Sequence, residues 1–165
     1  EPLSYPKEKP GEGALFTDMS QEELIIELDK NFDCVPYVSG VNNHMGSRFM
    51  ADEEKLTVIF NRLKKRNLFF IDSRTTGKSR ADAASAKAGL QIASRRVFLD
   101  NDRDYAKIYQ ILMSAAEEET GRSPMIIIGH PYPETIRAIR DASSVLRQRG
   151  VDIVPVSKLL RPAVS

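Results

Sequence analysis

Apolar and polar positions fall in blocks along this chain, and each block has either helical or strand character. Residues 1–19 are rich in Pro, Gly and charge and read as an irregular lead-in. Ser20 and Glu23 form an S-x-x-E capping box, and Leu24, Ile25 and Leu28 give the helix behind it an apolar face. "CVPYV" (34–38) is a short apolar run and predicts a strand. Asp52 caps a second predicted helix with Leu56, Ile59, Phe60 and Leu63 on one side. "LFFID" (68–72) is the next strand, and the Ala-rich "RADAASAKAGLQIA" (80–93) is a third helix. "RVFLD" (96–100) predicts a strand. Behind it, Ile108, Ile111 and Leu112 mark a helix from about Arg103 to a stop at Gly121, with Asp102 as its N-cap. "MIIIG" (125–129) is the most apolar strand. Pro133 suits the first turn of a helix that points Ile136, Ile139 and Leu146 inward and closes at Gly150. "VDIVPV" (151–156) is the last strand, followed by a short turn from Ser157 to Leu160.

Strand and helix thus alternate about five times, which implies a parallel sheet covered by helices. An open doubly wound sheet and a closed barrel both fit that pattern. A typical α/β barrel has about 250 residues, so 165 residues are too few for a full one. No repeat, low-complexity run or internal boundary interrupts the chain, which reads as one domain over residues 1–165.

Composition narrows the function classes. The 24 Lys and Arg residues nearly balance 23 Asp and Glu, which argues against a general nucleic-acid binder. The basic cluster "RLKKR" (62–66) reads as a solvated helix face. Cys34 is the one cysteine, so an internal disulfide and a cysteine-based zinc cluster are excluded. Lying in a predicted strand, it reads as a buried structural thiol. No apolar run is long enough to span a membrane, and no signal peptide is visible.

The candidate chemistry gathers where predicted strands end. His44 follows the first, Asp72 and Arg74 the second, Asp100 and Asn101 the third, His130 the fourth and Ser157 the fifth. In a parallel sheet these carboxyl ends lie on one side, where α/β folds hold their active sites. Imidazole is both a common zinc ligand and the usual proton carrier near neutral pH. Two histidines do not complete a catalytic zinc site, which takes three protein ligands and an open position; Asp72 or Asp100 is the natural third ligand. Asp72 and Arg74 either pin one loop or form a pair in which Arg74 holds a catalytic carboxylate ionised. Asn42 and Asn43 either stabilise a turn or bind a sugar hydroxyl. Tyr132, between two prolines, either packs or offers an aromatic face to a sugar. No phosphate-binding glycine motif is present.

"GVNNHMGSRF", "LFFIDSRTT", "RVFLDN" and "IIIGHPYPETI", in this order and spacing, resemble the divergent polysaccharide deacetylase family. The resemblance runs from "EPLSYP" to "VPVSKLL", and "NNHMGS" with "GHPYPET" is its most specific part. It implies a distorted (β/α) barrel, incomplete here at its N-terminus, so that the chain is the C-terminal portion of a deacetylase-like catalytic domain. It implies a hydrolase that removes acetyl groups from an N-acetylated polysaccharide or peptidoglycan. The cofactor implied is a divalent metal, zinc, and the location periplasmic or otherwise extracytoplasmic. His44 matches the metal-ligand motif, and His130 the late histidine that acts as acid or, in this branch, as metal ligand. Asp72 and Arg74 fall at an arginine motif that orients the base, and Asp100 at the aspartate that tunes His130. Two departures stand out: Arg48 occupies the place of a second histidine, and no Asp-Asp pair supplies the usual base and metal ligand. A non-catalytic barrel that binds glycans or an envelope partner is the alternative that Arg48 favours. An open-sheet small-molecule binder is a third reading.

Overall fold

The computed structural model describes residues 1–118 and 124–160. The described residues divide into two compact units, one holding Glu1–Ser94 and Leu160, the other lying within Arg95–Leu159.

The first unit is a run of alternating helices and parallel strands. Helix α1 (Gln21–Asp33) opens on the expected capping box: Ser20 accepts the Glu23 N–H and Glu23 accepts the Ser20 N–H. Strands β1 (Gly40–Asn42), β2 (Phe69–Asp72) and β3 (Ile92–Ser94) form one sheet in that order, all parallel. Helix α2 (Glu53–Lys65), preceded by a short 3-10 turn at Phe49–Ala51, joins β1 to β2, and α3 (Ala81–Ala88) joins β2 to β3. All four residues of β2 are buried, as a central parallel strand requires. Leu24, Leu28 and Phe32 of α1, Leu56, Ile59, Phe60 and Leu63 of α2, and Ala81, Ala84 and Ala88 of α3 close over the sheet as one core.

The second unit has a two-stranded parallel sheet, β4 (Val97–Phe98) with β5 (Ile127–Ile128), and helices α4 (Tyr105–Glu118) and α5 (Pro133–Gln148). Its core is Leu99, Ile108, Leu112, Ala116, Ala138, Ala142 and Leu146. The last element is the short α6 (Ser157–Leu160). The architecture is α/β with parallel sheets. Among the described residues, no helix is long and apolar enough to cross a membrane.

Several expected elements differ. "CVPYV" is not a strand: α1 closes on Cys34, whose N–H reaches the Lys30 carbonyl, and Val35 and Tyr37 are exposed. Pro36 has no N–H to give a ladder, and the strand forms two residues beyond this run. Cys34 is therefore exposed rather than a buried thiol. The third helix stops at Ala88 because Gly89 turns left-handed at φ 62°, and Ile92 and Ala93 enter β3. The α4 N-cap contact comes from Asp104, which accepts the Lys107 N–H at 2.8 Å, while Asp102 pairs with the Lys107 ammonium. The expected stop at Gly121 lies outside the described residues. Helix α5 buries Thr135, Ala138, Ala142 and Leu146 and leaves Ile136 exposed, so its inward stripe is rotated from the one expected. Residues 151–155 form no strand; Pro155 lacks a donor, and the Val151 N–H bonds the Leu146 carbonyl instead.

Candidate functional site

Register builds the site in the second unit. Val97 pairs with Ile127 and Phe98 with Ile128. Continuing that parallel register two residues past the strand ends sets Asp100 opposite His130. The Asp100 side chain is fully buried there. Its Oδ2 accepts the His130 N–H at 2.6 Å and the Thr135 hydroxyl at 2.8 Å, and its Oδ1 lies 3.0 Å from His130 Nδ1. A carboxylate without partners would be driven to its neutral form at such a place. Burial does push the Asp100 carboxyl up. The Thr135 hydroxyl, the His130 N–H, the His130 ring and its charge together outweigh burial and hold it below its ordinary value.

An ionised Asp100 fixes the tautomer of His130. Only Nδ1–H can donate to it, so the neutral ring carries its lone pair on Nε2. Rings fix the orientation as well. Phe98 meets His130 edge-on at 5.5 Å, and Tyr132 lies 5.1 Å away on a tilt of 36°. Arg103 sits 4.0 Å over the Tyr132 ring and Arg95 5.0 Å over that of Phe98. Gly129 makes the close approach possible, since a Cβ there would stand 3.1 Å from Thr135 Cγ2 and 3.2 Å from Asp100 Oδ2.

In the first unit the expected residues tie two loops together. Asn42 ends β1 and donates to the Ser73 hydroxyl at 3.0 Å. Asn43 donates to the Thr75 hydroxyl at 3.1 Å and accepts the Ser73 N–H at 2.8 Å. Asp72, buried at the end of β2, accepts the Arg74 N–H at 2.7 Å and the Ser79 hydroxyl at 2.7 Å. What joins Asp72 to Arg74 is thus the Arg74 main chain, and Arg74 is held at φ 50°, a conformation few non-glycine residues adopt. His44 is exposed on the loop after β1. The next residues, Met45 and Gly46, both take left-handed φ near 57° and turn the chain. Ser47 then accepts the Leu3 N–H, and Arg48 pairs with the buried Glu1 carboxylate at 2.7 Å. Arg48 therefore anchors the lead-in segment. Asn101 is exposed beside Asp100, and Ser157 begins α6.

The structure sets Asp100, His130 and Tyr132 side by side in one unit, and Asn42, Asn43, Asp72, Arg74 and His44 on the β1 and β2 loops of the other. Among the described residues, no group of three or more His, Cys, Asp and Glu side chains is placed to hold a metal ion. Thr135, Gly129, Phe98 and Arg103 were not legible as site residues. The only signal was the position of Gly129 and Thr135 within "IIIGHPYPETI".

A family model described as divergent polysaccharide deacetylase matches residues 1–160. The uncharacterized protein YibQ of Escherichia coli (strain K12) is 32% identical over 165 residues, covering 92% of this chain and 51% of YibQ. An uncharacterized protein of Haemophilus influenzae is 33% identical over 129 residues, covering 78% of this chain and 46% of its own. The crystal structure of uncharacterized protein ATU2773 from Agrobacterium tumefaciens C58 matches with a TM-score of 0.90 at 27% identity, over 97% of this chain and 65% of that one. The chain spans about half the length of the curated relatives it matches.

Proposed function

The chain belongs to the divergent polysaccharide deacetylase family, and from that premise we propose that it serves a hydrolase removing acetyl groups from an N-acetylated envelope glycan, within a distorted (β/α) barrel. The observation that carries this reading is the buried, ionised Asp100 that holds His130 Nδ1 at 3.0 Å. In hydrolysis of an acetamide, water adds to the carbonyl, the C–N bond breaks, and the amine needs a proton to leave. In the acid role His130 gives that proton from Nε2, while Asp100 holds Nδ1 and with it the orientation of the ring. The family's usual divalent metal, zinc, would polarise the carbonyl and lower the pKa of a bound water. Among the described residues, no group of three or more ligands for such a metal comes together. His44 is proposed as a metal ligand, and a His130 whose Nε2 binds the metal instead of carrying the proton is the alternative to the acid role. Asp72 supports the site by holding the loop that presents Arg74. Asn42, Asn43 and Tyr132 are proposed glycan contacts, peptidoglycan is among the candidate glycans, and a periplasmic location is proposed with it. Cell fractionation checks that last point.

One observation favours a second reading. Arg48 stands where the resemblance calls for a histidine and is spent on Glu1, which fits a glycan-binding protein without catalysis. The test is release of acetate from an N-acetylglucosamine oligomer, with zinc calorimetry alongside. His130→Ala is expected to lower turnover by about 10²–10⁴-fold, the usual share of a general acid. Zinc binding is expected to weaken on His44→Ala or His130→Ala. Turnover that survives His130→Ala sinks the mechanism. A folded protein that binds the oligomer and never cleaves it turns the reading to the second.

A further inference from the structure

The row of rings at His130 ends on a cation. Tyr132 leans against His130, and the Arg103 guanidinium lies over Tyr132. The Arg103 side chain is 57% exposed and its ion pair with Glu134 is long, at 3.6 Å. Such a contact is weak in water and cannot engage five N–H donors. A guanidinium carries its N–H donors as a planar fork that can grip a carboxylate with two parallel bonds. The oxygen that faces Arg103, Glu134 Oε2, is buried and makes no hydrogen bond among the described residues.

We propose that Arg103 selects acidic glycans, binding a sugar carboxylate next to the residue presented to His130. This rests on the glycan reading above and names the substrate class of that site. Arg103 is a specificity residue; the proton chemistry stays with His130.

Calorimetry on the purified protein compares two probes: a neutral N-acetylglucosamine tetramer, and a tetrasaccharide alternating N-acetylglucosamine with glucuronate. The acidic probe is expected to bind about tenfold tighter at low salt, the scale of one charge-assisted bidentate pair. Added salt narrows the gap. Arg103→Gln is expected to erase the preference, so that the two probes bind equally. Arg103→Lys is expected to restore only part of it, because an ammonium keeps the charge and loses the planar fork. Equal binding of the two probes, binding of neither, or a preference that survives Arg103→Gln overturns the inference. The acetate assay separates its failure from that of the hydrolase reading. Turnover without acidic preference sinks this inference alone. Acidic preference without turnover sinks the hydrolase and leaves an acidic-glycan binder.

Discussion

Asp100 is a buried carboxylate, and its three donors make it stable as an anion. Its pKa lies below the ordinary value when folded. A depressed carboxyl stabilises the fold above its ordinary pKa of about 4, and that share is lost as pH falls through the lower folded value. Asp100→Asn is therefore expected to lower the thermal midpoint near neutral pH and to flatten its decline in acid. Thermal unfolding between about pH 7 and pH 2 measures both. Parallel acid curves for the two proteins would show that Asp100 is not the source. Asp100 and His130 were legible in the sequence as polar residues at the ends of apolar runs. Thr135 was not, because the direction of its hydroxyl depends on the rotation of α5 about its axis. The roles of Asn42 and Asn43 stayed open for a similar reason: their partners Ser73 and Thr75 lie on another loop.

At the scale of elements, the helices followed from period and caps, since Ser20 and Asp52 cap α1 and α2 as their spacing foretold. The short strands followed less well. Three residues of β1 sit in a stretch that looked like loop, and β3 hides at the end of an Ala-rich run. Strands this short carry too few positions for a period, and their partners, distant in sequence, decide where they form. The junction of β5 with α5 is the element that shapes the site. Gly129→Ala would push a methyl against Thr135, Asp100 Oδ2 and Leu99 at 3.1–3.3 Å. Asp100 cannot retreat without loosening its bonds to His130 and Thr135. The expected cost is about 1–3 kcal/mol, read by chemical denaturation, with a shift of the His130 ring signals in NMR. A stability within error of the parent and unmoved signals would mean that the loop absorbs the methyl.

For the whole molecule, each unit has a hydrophobic core of its own residues. Phe60 is 0% exposed and meets Phe70 at 4.8 Å in the first core. Phe60→Ala is expected to cost about 3–5 kcal/mol by chemical denaturation. Hydrogen exchange should show the lost protection in β1, β2 and β3, with α4 and α5 keeping theirs. Equal loss in all five elements would mean that the two cores melt as one. The sequence by itself determined the α/β class, the apolar faces and caps of α1 and α2, and the placement of Asp72, Asp100 and His130 at the ends of apolar runs. These depend on neighbours within a few residues, or on burial, which composition already encodes. Only the tertiary structure decided the ladder register that sets Asp100 against His130. It alone turned Thr135 inward, stacked Arg103 on Tyr132 and gave Arg48 to Glu1. The physical reason is that a hydrogen bond or a ring contact needs both partners in place, and these pairs stand up to 47 residues apart along the chain.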